Sequence, residues 1–295
     1  MQILATTDFS TRSSRALRRA GLLARDSGAE LAVVHVVDDD QPENLVEAET
    51  REAERILSEQ ISAMDELHGA RCRSMVVPGD PFDGILRTAG TLRADLIVMG
   101  AHRKQLLRDI FVGTTIERVI RTGPHPVLMV NNEVRRAYRT VLAAVDMSEA
   151  SASAIRTAMS MGLIDDVGIT YLHAVLPAAE GKMWTAGIDR AAIDEYVASE
   201  RQRASGELVD FLAAIELGPD LSLRVEHGGA FEVISRVVDE MKPDLVVLGT
   251  HGRAGLLKVL LGSVTEQALR GLDVDILAVP PVRSPVGVVD ASPRN

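Results

Sequence analysis

Residues 249–263 read GTHGRAGLLKVLLGS, and the fold turns on what stands on either side of them. Before them runs Leu245-Val246-Val247-Leu248, an apolar run short enough for a buried parallel strand. After them, SVTEQALR (263–270) has the spacing of a helix starting near Ser263. A strand ending at a glycine, a long loop, and a second glycine opening a helix make an anion site. Gly249 and Gly252 let main chain approach a ligand with no Cβ in the way. Gly262 and Ser263 place unpaired N–H groups at the positive end of the helix dipole. The hydroxyls of Ser263 and Thr265 add donors for phosphate oxygens. The pattern is neither a Walker loop nor GxGxxG. A surface loop that uses glycine for its turns is the plain alternative.

The chain has 295 residues, 46% hydrophobic and 25% charged, which fits two ordinary globular domains. A net charge of −10 argues against a nucleic-acid or anionic-membrane surface. One cysteine, Cys72, excludes an internal disulfide and fits a reducing compartment. MQILATTDFS at the start reads as a first strand rather than a leader, and no apolar run is long enough to span a bilayer. A cytosolic protein is expected.

Short apolar runs predict strands at 3–7, 31–37, 73–77, 95–99 and 126–130. Helical spacing predicts helices over 11–27, 43–68 and 82–92, with another opened by Gly113-Thr114. This alternation implies a doubly wound parallel α/β sheet. After a polar, basic linker (131–139) the pattern returns. Asp8, Ser10 and His35 recur as Asp146, Ser148 and His173, at an offset of 138 (146 − 8). Further on the offset is 149 (228 − 79). There Gly79, Phe82, Ile85, Asp95, Gly100, His102, Gly113, Glu117 and Arg121 recur as Gly228, Phe231, Ile234, Asp244, Gly249, His251, Gly262, Glu266 and Arg270. So many matches in one frame are an internal duplication. Two tandem domains follow, 1–133 and 138–282, each a five-stranded parallel sheet with helices on both faces. The second gains 11 residues (149 − 138) around Trp184, where a lid or surface decoration are the open readings, and a longer helix over 189–217. Residues 283–295 read as a flexible tail.

The chain resembles a tandem universal stress protein over nearly its whole length. Nucleotide-binding members of that family share glycine, two residues, glycine, nine residues, then glycine with Ser or Thr. The second half matches with Gly249, Gly252, Gly262 and Ser263; Asp146, His173 and Gly228 also fit. The resemblance implies an adenine nucleotide, ATP with or without Mg2+, in the second half. There Asp146 would accept a hydrogen bond from the nucleoside and the main chain at Ala174 would meet the adenine edge. Ala144, Gly228, His251, Arg253, Val264 and Thr265 complete the expected lining. Asp146 reads equally as a turn and capping residue, and Arg253 equally as a solvated loop charge. The first-half counterparts are Asp8, Val36, Gly100, Arg103, Gly113, Thr114 and Thr115. Arg103 stands where the second glycine belongs, so weakened or altered binding is expected there. The resemblance also implies that the fifth strands of the two domains pair within the chain, that two chains form a homodimer, and that a regulatory protein partner exists.

Catalysis finds little support. No GxSxG, SxxK or HExxH occurs, and no His/Cys/Asp cluster has metal-ligand spacing. A nucleotide-responsive regulator is expected, with slow ATP hydrolysis at most. A nucleotide-free scaffold remains open. So do an ATP pyrophosphatase-like enzyme, which needs glycines after the first strand that TTDFSTRSS and AVDMSEASA lack, and a flavoprotein relative, which would carry FAD.

Overall fold

The computed structural model describes residues 1–101, 114–164, 167–217, 221–250 and 261–281. The first half runs β1 (Gln2–Thr6), α1 (Thr11–Ser27), β2 (Glu30–Val37), α2 (Glu43–Ser62), β3 (Arg71–Pro78), α3 (Pro81–Leu92), β4 (Leu96–Gly100), α4 (Thr115–Thr122) and β5 (Val127–Val130). The second runs β6 (Thr140–Ala144), α5 (Glu149–Ser160), β7 (Gly168–Val175), α6 (Glu180–Thr185), α7 (Arg190–Ala213), β8 (Ser222–His227), α8 (Ala230–Met241), β9 (Leu245–Gly249), α9 (Ser263–Gly271) and β10 (Asp275–Val279). Polar caps start the helices where the sequence offers them. Ser10, Asp80, Ser148 and Asp189 each accept a main-chain N–H from the first turn they precede.

The strands form one ten-stranded sheet in the order β3-β2-β1-β4-β5-β10-β9-β6-β7-β8. Within each half the neighbours are parallel, as expected. The halves meet through β5 and β10, which pair antiparallel with Leu128 opposite Leu277. Alternation along the strands sends Ile3, Ala5, Leu128 and Leu277 to one face, and Leu4, Val127, Met129 and Ile276 to the other. The first face is covered by α1, α2, α5 and α7, and the second by α3, α4, α8 and α9. Both cores therefore run unbroken from one half into the other.

Helices α2 and α7 end short of their expected bounds of 68 and 217, and α6 has no expected counterpart. Helix α2 ends at Ser62 rather than continuing to His68. Met64 and Leu67 turn into the core there, and a single 3-10 turn over Asp65–Leu67 carries the chain to β3. The interval before α7 holds the short helix α6, in which no residue is buried.

A buried carboxylate braces the seam. Asp275 opens β10 and is fully buried. Its Oδ1 accepts the N–H groups of Asn131 and Asn132 at 2.9 and 2.8 Å, and its Oδ2 accepts the Tyr138 hydroxyl at 2.7 Å. The guanidinium of Arg19, itself buried, lies 3.5 Å from Oδ2 and stacks on the Tyr138 ring at 4.0 Å. Burial pushes the Asp275 carboxyl above its ordinary value although these donors oppose it, and burial likewise raises the Tyr138 phenol. Strand β10, the linker and α1 of the other half thus converge on one side chain. Asp275→Ala should cost about 3–5 kcal/mol, because it strands the Arg19 charge and three donors in the interior. Urea unfolding measures this, and a loss of under about 1 kcal/mol, the scale of a surface pair, would contradict the assignment.

Candidate functional site

In each half the chain leaves the first strand toward one side of the sheet and returns on the other. β6 lies between β7 and β9, and β1 between β2 and β4. Crevices at the carboxyl ends of such switch points hold ligands in open α/β sheets. Three described segments come to the carboxyl ends of the second-half strands: the turn after β6, the end of β7 with Gly228, and the first turn of α9 beside the end of β9.

The turn after β6 is rigid. Val145 N–H donates to the Leu172 carbonyl at 2.8 Å, and His173 Nδ1 lies 2.7 Å from the Val145 carbonyl, so this histidine is engaged with the main chain. Met147 has φ of 59°, as its counterpart Phe9 has 61°. Asp146 Oδ1 accepts from Ser148 N, Ser148 Oγ and Ser151 Oγ at 3.0, 2.5 and 2.5 Å. Those bonds fix the carboxylate in one orientation. Asp8 accepts Ser10 N at 3.0 Å, and Ser13 Oγ also lies 3.1 Å from Thr7 Oγ1. Burial pushes the Asp8 carboxyl up, but hydrogen bonds with Ser10 and Ser13 outweigh it and hold it below 3.8. Both aspartates make the expected turn, accepting the N–H two residues on, but the helix caps are the neighbouring Ser10 and Ser148.

At the end of β7 the two halves fill space in opposite ways. Val36 in the first half packs against Gly84, where an added Cβ would come within 2.8 Å of Val36 Cγ1. Their counterparts are Ala174 and Val233, small for large and large for small. Gly228 has φ of 134°, as Gly79 has 137°, a conformation that favours glycine.

The loop after β9 starts and finishes at one place. Thr250 N–H donates to the Val279 carbonyl at 2.9 Å, and Gly262 N–H donates to the Thr250 carbonyl at 2.8 Å. The first turn of α9 is thereby set beside the end of β9, with Ser263 exposed and Val264 half-buried. Thr265 differs from the expectation. Its hydroxyl is buried and donates to the Gly249 carbonyl at 3.0 Å, so its one proton braces helix to strand, and only its main-chain N–H is left for a ligand. Gly249 also has a second reason to be glycine. A Cβ there would meet the Ala150 carbonyl carbon and oxygen at 2.9 Å, and one on Gly100 would meet Arg12 main chain at 2.7 Å. His251, Gly252, Arg253, His102, Arg103 and Gly113 lie outside the described residues.

The first half closes its corresponding helix start on itself. Thr114 caps α4, its hydroxyl accepting Glu117 N–H, while Glu117 Oε2 accepts Thr114 N–H at 3.0 Å. Glu117 is fully buried, and Arg270 of α9 donates to it from Nε at 2.6 Å and Nη2 at 3.2 Å. Thr115 follows in the first turn. Neither this cross-seam pair nor the Asp275 hub was read from the sequence. The recurrence of Glu117/Glu266 and Arg121/Arg270 on helices with buried faces was the available signal for the pair. Cys72 is half-buried on the edge strand β3, and burial raises its thiol. A cavity of about 670 Å³ lies elsewhere, between the linker and the ends of α8 and α9. Its charges are partly paired among themselves, as in Lys242–Asp239 at 3.0 Å and Arg136–Asp244 at 3.8 Å.

A family model described as the universal stress protein family matches residues 1–131 and again 137–280. The chain belongs to the universal stress protein family. Among curated universal stress proteins, it is 29% identical over 198 residues to the universal stress protein E homolog of Haemophilus influenzae, covering 63% of this chain and 62% of that one. It is 26% identical over 209 residues to universal stress protein E of Escherichia coli, covering 68% and 65%. The match thus spans a little under two thirds of either relative. Among solved structures, a universal stress protein from Archaeoglobus fulgidus superposes with a TM-score of 0.68 at 19% identity, over 95% of this chain and 98% of that one. A Pseudomonas aeruginosa protein described as functionally unknown gives 0.66 at 19%, over 95% and 92%. These establish the fold. No helix among the described residues is long and apolar enough to cross a membrane, and no group of metal-ligating side chains occurs among them. In this universal stress protein fold, Gly249→Ala and Gly100→Ala should each cost about 1–3 kcal/mol through strand–helix overlap, with or without nucleotide. A thermal midpoint unchanged from wild type would show that the helix does not impose the glycine.

Proposed function

We propose that this chain is an ATP-binding regulator of the cytoplasm whose nucleotide sits in the second-half crevice, and that it is a switch rather than an enzyme. The observation that carries the reading is the closure of the β9–α9 loop. The Thr250–Gly262 bond sets the first turn of α9, with its N–H groups and the Ser263 hydroxyl, at the switch point beside Asp146. Main-chain donors at a helix start suit phosphate oxygens. Asp146, oriented by Ser148 and Ser151, is placed to accept a ribose hydroxyl. The main chain at Ala144 and Ala174 borders the base, and Gly228 leaves room beside it. Gly252 and Arg253 supply the remainder of the phosphate loop, with Mg2+ carried by the phosphates.

Three features support a different role for the first half. Thr114 N–H is committed to Glu117, Glu117 is committed to Arg270, and Arg103 replaces a glycine. The first half then serves as the structural partner of the second, paired through β5 and β10 inside one chain. That arrangement completes the unit without a second copy. Regulation of a protein partner is the output we assign to the bound nucleotide.

Gly252→Arg copies the first-half departure into the second half. Calorimetric titration with Mg-ATP should show binding to the wild type and affinity weakened at least about tenfold in the variant. Unchanged affinity in the variant, or no binding to the wild type, would defeat the proposal.

A further inference from the structure

The 11 extra residues of the second half lie in the half that carries the complete glycine pattern. They build helix α6, which begins four residues beyond β7 and which the first half lacks, since β2 passes through residues 38–42 straight into α2. α6 is tied at its first residue to the carboxyl end of β8, which is itself bonded to the end of β7. Its first residue, Glu180, meets His227 at 2.7 Å, and His227 is the last residue of β8. The next residue, Gly228, donates its N–H to the Val175 carbonyl at the end of β7. Residues four apart on a helix share a face. Trp184 therefore lies on the face that Glu180 turns toward the strand ends, one turn further on. A tight turn closes the helix behind it, with Gly187 and Ile188 donating to the Trp184 and Met183 carbonyls.

Trp184 is 53% exposed, and Leu176 and Ile188 beside it in sequence are 66% and 43% exposed. Single exposed apolar residues are ordinary; three within the one segment that follows β7 call for an occupant. Resting on the reading of the second half as a nucleotide site, we infer that Trp184 is the residue on which the base of the bound nucleotide stacks. The phosphates are met at α9 and the base reaches the end of β7, from which residues 176–179 lead directly into α6. An indole presents a flat π-face that any nucleobase can cover, and a purine covers more of it than a pyrimidine.

Trp184 is the only tryptophan of the chain, so its fluorescence reads the contact directly. The probes are ATP and inorganic tripolyphosphate. ATP should quench the emission saturably, with the same midpoint as the calorimetric titration, whereas tripolyphosphate should leave it unchanged. Trp184→Ala should weaken ATP about tenfold and leave tripolyphosphate affinity as in wild type, and Trp184→Phe should restore most of the loss. Unchanged emission at saturating ATP would overturn the inference. So would an alanine variant that weakens ATP and tripolyphosphate alike, which marks a structural role, or one that instead shifts the oligomeric state, which marks a protein interface. If calorimetry finds no ATP bound to wild type, the nucleotide reading itself fails and this inference goes with it.

Discussion

The antiparallel pairing of β5 with β10 is the constraint on which the molecule depends. Each half alone would end its parallel sheet in an apolar edge strand, a row of unpaired main-chain groups that invites association. Here Val127, Leu128 and Met129 face Ala278, Leu277 and Ile276, and each edge satisfies the other. The two half-sheets become one, and the apolar layers on its faces become continuous across the seam. Asp275 adds polar specificity to that apolar contact. A buried carboxylate with three donors and the Arg19 charge around it tolerates one arrangement of linker, helix and strand and penalises others.

The seam is not symmetric, although the two halves descend from one pattern. Position 126 is proline where the repeat frame places Asp275, so the hub exists once. Arg270 reaches across to Glu117, while Arg121, its counterpart, keeps a buried Nε without a hydrogen-bond partner. Arg270 also holds Glu266 on its own helix at 2.8 Å. The helix that starts at the second-half crevice is therefore joined to the first turn of the helix that starts at the first. One helix start keeps an exposed Ser263; the other is closed by the Thr114–Glu117 capping box.

Local chemistry made much of this legible in advance. Short apolar runs, helical spacing and turn residues place the strands and helices, and the repeat frame ties the halves together at Asp8/Asp146 and Gly100/Gly249. What escaped the sequence is long-range or short-lived in pattern. Glu117 and Arg270 stand 153 positions apart, and only a folded seam shows that they meet. α6 has six residues, too few for periodicity to register, and its position rests on a bond to His227 47 positions away. The glycine at 249 was read as clearance for a ligand, and the helix behind it turns out to require the same residue. A pattern can be right about which residue matters while two physical demands share it.

Two copies of one fold are proposed to leave a single nucleotide-binding crevice. Native mass spectrometry of the full chain, titrated with ATP, counts occupied sites directly. Saturation at one nucleotide per chain is the result this account predicts. Saturation at two would mean that the capped helix start of the first half still binds, and an unliganded chain at saturating ATP would mean that neither crevice does.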